Sequence, residues 1–302
     1  MASRLTKSQL AAEFERIGFR ANPLRGQCFL VDLNMMQAVV ASAWLRPSDV
    51  VLEIGCGPGN LTAELAAHSG LVIAVEIEDM LFQLAQENLE FLANVRLVHA
   101  DALESKYRLN PVIGAEIERA LRDSGQGEFK VVSNLPYGIG TAVIMALLEG
   151  MGVPPSVPAP ILMILSVQKE VADRLTAPSG VKDYGPLTVG AQSVAHVRRL
   201  RKMPPNVFWP RPQVESALIE IVPDAALRAR IKDPDLMHRL TNALFEHRRK
   251  TLANSLEGSR EFAQEWPKVL SALAACGIDL SLRGEALSVE DVITLANTLA
   301  TA

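Results

Sequence analysis

The stretch Val50–Asn60, VVLEIGCGPGN, decides the fold of this chain of 302 residues. Val50–Ile54 has the composition of a buried strand, and it leads into the glycine-rich loop Gly55–Gly59. Asn60 then begins a segment that we predict to be helical to about His68. A strand, a glycine loop and a helix in this order form the nucleotide-binding turn of open α/β sheets. Glycines let the backbone approach a ligand closely, and the first N–H groups of the helix are free to bind it.

Acidic residues follow the next two predicted strands. Leu71–Val75 ends at Glu76, about 20 residues after the first glycine, where an acidic side chain accepts hydrogen bonds from ribose hydroxyls. Val95–Ala100 ends at Asp101, which can either accept a hydrogen bond from an adenine amino group or cap the next turn. The glycine spacing is G-x-G-x-G, and no lysine follows it as in a phosphate-binding loop. The pattern therefore favours a nucleoside ligand and requires no pyrophosphate.

A second loop, Asn134-Leu135-Pro136-Tyr137, follows the apolar strand Phe129–Ser133. The Asn134 side-chain oxygen and a backbone carbonyl held by Pro136 can each accept an N–H bond from an amino group on a flat base. Tyr137 can stack on such a base. A β-turn with a buried tyrosine is the alternative for the tetrapeptide alone. With the nucleoside pattern, an amine acceptor points to S-adenosylmethionine and to in-line methyl transfer, in which positioning does most of the catalytic work.

Strands that alternate with helices predict a largely parallel α/β sheet. Periodicity places further helices at Met35–Ala43 (capped by Asp32 or Asn34), Asp79–Phe91, Pro111–Leu121, the segment ending at Leu148, and Gln168–Leu175, and further strands at Ile161–Val167, Val189–Val197 and Val214–Val222. The proline-rich segment Val153–Pro160 is predicted to be a stiff extended loop. Strand signals end near Pro223, so we divide the chain into domains 1–222 and 223–302.

Composition restricts the class of protein. The chain is 49% hydrophobic and 21% charged, with a net charge of −4, which argues against a nucleic-acid binder that is basic over its whole surface. Neither a secretory signal nor an apolar run long enough to span a bilayer is present in the sequence. The three cysteines are scattered and the five histidines lack metal-ligand spacing. We expect a cytoplasmic protein with no membrane contact and no metal.

Several motifs occur in order and with consistent spacing: Gly26–Leu30, Leu52–Gly55, Val75-Glu76, Asp101-Ala102, Asn134–Tyr137, Gln168–Glu170, Tyr184-Gly185, Phe208–Val214 with Ser216, and His247–Leu252. On these motifs the chain resembles, from about Asn22 to Leu299, the ribosomal RNA adenine N6-dimethyltransferase family, specifically the bacterial enzymes acting near the 3′ end of 16S rRNA. The resemblance implies a Rossmann-like S-adenosylmethionine-dependent methyltransferase sheet with a small C-terminal all-helical domain.

The same resemblance implies roles for individual residues. The cofactor S-adenosyl-L-methionine would contact Gln27, Cys28, Leu30, Gly55, Glu76, Asp101 and Asn134. Asn134 and the carbonyl at Pro136 would position the target amine, and Tyr137 and Phe208 would sandwich the extruded adenine. The helix carrying Arg248, Arg249 and Lys250 would present these cations to rRNA phosphates, with Arg198–Lys202 as a second candidate. Cys28 stands where the family usually has an amide or imidazole, so we expect its backbone to contact the cofactor.

The expected activity is transfer of two methyl groups to N6 of each of two adjacent adenines of 16S rRNA in an immature small ribosomal subunit, by a monomer. One alternative is a 23S rRNA adenine methyltransferase that confers antibiotic resistance. A second, of a different class, is a ribosome-assembly factor that acts by binding alone. A DNA adenine methyltransferase is a weaker alternative, because its corresponding loop typically has two prolines.

Overall fold

The computed structural model describes residues 5–23, 26–105, 108–149 and 158–301. The strands of these residues are β1 Phe29–Leu30, β2 Val50–Ile54, β3 Leu71–Glu76, β4 Val95–His99, β5 Leu103–Ser105, β6 Arg108–Leu109, β7 Phe129–Asn134, β8 Leu162–Gln168, β9 Ala195–Met203, β10 Phe208–Trp209 and β11 Ser216–Pro223. The helices are α1 Lys7–Arg16, α2 Leu33–Ser42, α3 Asn60–Ala66, α4 Asp79–Leu89, α5 Pro111–Ser124, α6 Gly140–Glu149, α7 Lys169–Leu175, α8 Pro186–Gln192, α9 Ala225–Ala229, α10 Pro234–Glu246, α11 Leu252–Glu257, α12 Trp266–Ala275 and α13 Val289–Thr301.

Seven strands form one sheet in the order β4-β3-β2-β7-β8-β11-β9. The strands from β4 to β8 are parallel to their neighbours, whereas β11 runs antiparallel to β8. This arrangement confirms the predicted Rossmann-like sheet. The carboxyl ends of the parallel strands share one edge, where open α/β sheets bind their ligands.

The core lies on both faces of this sheet. Every residue of β2 is buried, and so is every residue of β7 except the last, Asn134, which is partly buried. Helix α5 packs against β2 and β3, and α3 and α4 also pack on strands of the sheet. Central strands covered on two faces are continuous apolar runs rather than alternating ones, which is why composition alone located them.

One charged pair is buried near the start of β7. Lys130 Nζ lies 2.7 Å from Asp49 Oδ2 and donates a hydrogen bond of 2.9 Å to the carbonyl of Trp44. Only 4% of the Lys130 side chain and 1% of the Asp49 side chain are exposed. A buried ammonium is tolerated because these partners replace its water. Trp44, whose carbonyl accepts this bond, adopts a positive φ of 48°, which is uncommon for a residue other than glycine.

The chain forms two compact units. The first contains the described residues of Met1–Ala172 and Arg198–Pro223, and the second those of Asp173–Val197 and Asp224–Ala302. The chain passes from one unit to the other beside Pro223, where the sequence suggested a boundary. Asp173–Val197 groups with the second unit, although the sequence-based division assigned it to the first domain. Most of the second unit is helical.

The predicted strand Val189–Val197 is wrong. Val189 and Gln192 lie in α8, and the strand begins at Ala195 and includes the basic run Arg198–Lys202. A short apolar run does not distinguish a buried helix from a strand. The helix is favoured by Pro186 at its first position, which follows Gly185.

Two further segments differ from the predictions, and one predicted loop falls mostly outside the described residues. Helix α10 ends at Glu246, so Arg248, Arg249 and Lys250 lie in the turn before α11 and not on the predicted helix. The small hairpin of β5 and β6 was not predicted. In the proline-rich segment, residues 153–157 lie outside the described residues.

Candidate active site

The glycine loop between β2 and α3 lies against two other parts of the first unit. Gly55 and Gly57 have φ of 75° and 55°, which favour glycine. A Cβ on Gly55 would be 2.7 Å from Cγ of Pro136, and one on Gly57 would be 2.6 Å from the Phe29 ring. Because glycine has no Cβ, the glycine loop can lie in close contact with both Pro136 and Phe29.

Glu76 is the last residue of β3 and is 7% exposed. Its Oε2 accepts a hydrogen bond of 2.8 Å from the Gly57 N–H, and its Oε1 accepts bonds from the N–H groups of Ile77 and Glu78. Burial raises the pKa of this carboxyl, while the three backbone donors act in the opposite direction. Glu76 thus holds the glycine loop, and its remaining lone pairs can accept hydrogen bonds from a ligand.

Asn134 ends β7 with its amide fixed in one orientation. Its Nδ2 donates a hydrogen bond of 2.9 Å to the Cys28 carbonyl. Because a carbonyl only accepts, the nitrogen must face Cys28 and Oδ1 must point elsewhere. Oδ1 is buried and accepts no hydrogen bond from any described residue. Leaving such an acceptor unpaired costs about 1–3 kcal/mol, so the site suits a ligand that brings an N–H donor.

The loop after Asn134 is fixed along its length. The Leu135 N–H donates to the Ser166 carbonyl of β8 at 3.1 Å, and the Pro136 carbonyl accepts from the Ile139 N–H at 3.2 Å. The Tyr137 hydroxyl lies 2.7 Å from Oγ of Ser216. A stiff loop therefore leaves the carboxyl edge of the sheet, as its sequence predicted.

The segment before α2 lies beside this loop. Gln27 Oε1 accepts a hydrogen bond of 2.8 Å from the Asn22 N–H, which closes a short turn. Cys28 is 3% exposed, and burial raises the pKa of its thiol to about 11. Leu30 pairs with Phe208 in a two-stranded ribbon of β1 and β10. Cys28, Leu30 and Phe208 share one apolar cluster, against which Tyr137 also packs.

Asp101 follows β4 and is exposed. Its Oδ1 accepts a hydrogen bond of 3.0 Å from the Leu103 N–H, which is the turn cap that the sequence allowed as an alternative. The other carboxylate oxygen, Oδ2, has lone pairs with which a ligand could bond.

The predicted basic cluster belongs to the second unit. Nη2 of Arg248 donates to the Tyr184 carbonyl and lies 3.0 Å from Oε2 of Glu285. Arg248 thus has contacts within the unit, whereas Arg249 and Lys250 are exposed.

Glu53 has no role predicted from the sequence; it lies inside β2 and is 2% exposed. Its Oε2 accepts a hydrogen bond of 2.6 Å from the Thr62 hydroxyl of α3. Burial raises the pKa of Glu53 to about 8, and the nearby charge of Glu76 acts in the same direction. An acidic residue within an otherwise apolar strand was the available signal.

Asn60 is a second residue without a predicted role. Its side chain exchanges two hydrogen bonds with the backbone of Leu5, and so joins the start of α3 to the segment before α1. The sequence contains no signal for a contact between residues so far apart along the chain.

No group of three or more His, Cys, Asp or Glu residues in the described parts of the chain could hold a metal ion. In the same parts of the chain, every helix is too short or too polar to cross a membrane.

Known proteins share the sequence and the fold of this chain. The family described as Ribosomal RNA adenine dimethylase matches residues 18–300. Ribosomal RNA small subunit methyltransferase A of Moorella thermoacetica is 38% identical over 302 residues, covering 99% of each chain. The protein of that name from Geobacillus kaustophilus is 36% identical over 291 residues, covering 95% of this chain and 93% of its own.

Two solved structures share the fold. A dimethyladenosine transferase from Plasmodium falciparum has a TM-score of 0.70 at 21% identity, covering 87% of this chain and 94% of its own. The 23S rRNA methyltransferase ErmE has a TM-score of 0.61 at 23% identity, covering 90% of this chain and 99% of its own. From its sequence match over nearly its full length, the chain belongs to the ribosomal RNA adenine dimethylase family.

Proposed function

We propose that the protein transfers two methyl groups from S-adenosylmethionine to N6 of each of two adjacent adenines near the 3′ end of 16S rRNA. The substrate is an immature small ribosomal subunit, and the protein acts as a cytoplasmic monomer. The names of its relatives at 36% and 38% identity support the RNA target. The observation that carries the chemistry is the buried Oδ1 of Asn134, because no donor among the described residues occupies this acceptor.

Residues on the carboxyl edge of the sheet suit the cofactor. The Glu76 carboxylate would accept the ribose hydroxyls, Asp101 the adenine amino group, and Gly55 would offer its backbone. Gln27, Cys28 and Leu30 would contact the cofactor from the segment that bonds to Asn134. Cys28 would do so through its backbone, since its thiol is buried. When bound, S-adenosylmethionine supplies an electrophilic methyl group.

Asn134 and Pro136 would hold the target amine. An aromatic amine is a poor nucleophile because its lone pair is conjugated with the ring. Acceptance of its two N–H bonds by Asn134 Oδ1 and by the Pro136 carbonyl favours the pyramidal form, whose lone pair can attack. The Pro136 carbonyl keeps one lone pair after bonding to Ile139. Each transfer would form an N–C bond as the S–CH3 bond of the sulfonium breaks, leaving a neutral thioether, and the nitrogen would then lose one proton to water. After the first transfer a single N–H remains, and one acceptor is enough to orient it for the second.

Aromatic and basic side chains would hold the RNA. Tyr137 and Phe208 lie in one apolar cluster and would stack on the extruded adenine, with Phe208 turning out of its buried position. Arg249 and Lys250 are exposed and would contact phosphates, together with the exposed part of Arg248.

The test uses small subunits from cells that lack this protein, the purified protein and labelled S-adenosylmethionine. Mass mapping should locate two dimethylated adenines side by side near the 3′ end of 16S rRNA. Asn134→Ala should abolish the label but leave subunit binding intact. Asn94→Ala is the matched control, because its amide is also held by carbonyls, those of Ala66 and Ser69, and Asn94 precedes the start of β4. Label on 23S rRNA, or binding without any label, would overturn the proposal.

A further inference from the structure

The hydroxyl of Tyr137 is hydrogen-bonded to a residue of β11, which lies two strands away from β7 in the sheet. Tyr137 belongs to the loop after β7, whereas Ser216 begins β11, and β8 lies between these strands. The two hydroxyl oxygens are 2.7 Å apart. Ser216 is 1% exposed and pairs in register with Gln168 of β8. The serine is therefore held by the sheet, and the loop tyrosine is held by the serine.

The backbone of Tyr137 is restrained from another direction. A Cβ on Gly26 would be 2.5 Å from the Tyr137 nitrogen, so glycine at this position permits an unusually close approach of the two backbones. Pro136 fixes its own φ immediately before Tyr137. With the backbone held, the hydrogen bond to Ser216 selects one orientation of the ring among the rotamers otherwise available.

We propose that Ser216 is a positioning residue for the target base, because it holds the Tyr137 ring in the orientation that stacks on the extruded adenine. This inference rests on the proposed function. A ring that is already oriented loses less conformational entropy when the base arrives, so the base is captured more tightly. Because the stacking contact is present both before and during methyl transfer, its loss raises KM more than it lowers kcat.

Three variants test the inference: Ser216→Ala, Tyr137→Phe and the double variant. Each is assayed with immature small subunits at saturating S-adenosylmethionine. Each single change should raise KM for subunits about threefold to tenfold, which is the usual effect of losing one hydrogen bond. Both changes remove the same bond, so the double variant should be no worse than either single variant. Ser69→Ala, which removes a buried hydroxyl bonded to the Leu65 carbonyl, should leave KM unchanged.

Two measurements separate positioning from a purely structural role. Ser216→Thr keeps the hydroxyl and should restore most of the lost affinity. With an RNA fragment carrying 2-aminopurine at the target adenine, Ser216→Ala should reduce the fluorescence change on binding, at a temperature where melting curves show both proteins folded. An unchanged KM for Ser216→Ala, or effects of the two changes that add, would overturn the inference. Wild-type protein that does not methylate the subunits would overturn the proposed function instead.

Discussion

The side-chain amide of Asn134 donates to the carbonyl of Cys28, a residue 106 positions earlier in the chain. This bond determines which end of the amide faces the protein and which end remains for a ligand. It also makes the backbone at Cys28 part of the support for the Asn134 loop, which we propose binds the target amine. Its importance can be tested by changing only the donor.

Asn134→Asp should reduce methyl transfer by about a hundredfold, as misplacement of a reacting group by about 1 Å can do. A carboxylate at this position would direct an oxygen at the Cys28 carbonyl, and two acceptors repel. Single-turnover rates with labelled cofactor measure the loss. Asn110→Asp is the control, since Asn110 caps α5 and aspartate is an equally good cap. Near-normal turnover by Asn134→Asp would rule out the assigned role.

Gly55→Ala should abolish cofactor binding, because the added methyl group would meet the Pro136 ring at 2.7 Å and φ is 75°. Gly18→Ala is the matched control, with φ 71° and no atom near the added methyl group. The control should lose only about 1–2 kcal/mol of stability through backbone strain. Titration calorimetry with S-adenosylmethionine distinguishes the two variants. Equal cofactor affinities in both would contradict the steric argument.

Glu53→Gln should stabilise the first unit at pH 8 and have less effect at pH 5. The folded pKa of Glu53 is raised from 4.5 to about 8, so the unfolded chain binds fewer protons between these values. Stability contributed by the protonated group is complete below the unfolded pKa and is lost as pH rises through the folded pKa. The amide keeps the neutral form at every pH. Calorimetric melting across this range tests the prediction, and a Tm difference that does not change with pH would refute it.

Lys130→Met should destabilise the protein by about 3–5 kcal/mol, because it leaves the Asp49 carboxylate buried without its counter-charge. The double variant Lys130→Met with Asp49→Asn should recover much of this loss. Urea unfolding measures both. Since Lys130 lies near the start of β7, away from the loop that follows its end, the folded variants should keep wild-type kcat. A double variant as unstable as the single one would contradict the ion-pair explanation.

Arg249→Ala with Lys250→Ala should weaken binding to small subunits and reduce its dependence on salt. Each lost phosphate contact lowers the slope of log K against log salt by about 0.7 to 0.9. Arg119→Ala, an exposed arginine on α5, should leave the slope unchanged. Arg248→Ala should also lower the stability of the second unit, because Arg248 bonds to Glu285 and to the Tyr184 carbonyl. A slope that stays constant in the double variant would exclude these cations from the RNA interface.

The parts of the fold that sequence predicted are those specified locally. The strand Val50–Ile54, the glycine loop and the position of Glu76 follow from short patterns, and the structure has all three. The segment at Val189 was predicted wrongly, because a short buried helix and a buried strand have the same apolar composition.

Contacts between distant parts of the chain left no local signal. The bonds of Asn134 to Cys28 and of Tyr137 to Ser216 depend on the tertiary fold. Glu53 lies in the motif Leu52–Gly55, yet its hydrogen bond with Thr62 of α3 depends on the tertiary fold.

The two partners of the Tyr137–Ser216 bond are translated far apart in time. The strands that carry the glycine loop, Glu76 and Asn134 are all translated before residue 135, but the anchor for Tyr137 arrives only with residue 216. Between them the ribosome makes Asp173–Val197, which belongs to the other unit. A nascent chain therefore lacks the hydrogen bond that holds the Tyr137 hydroxyl until translation has passed Ser216.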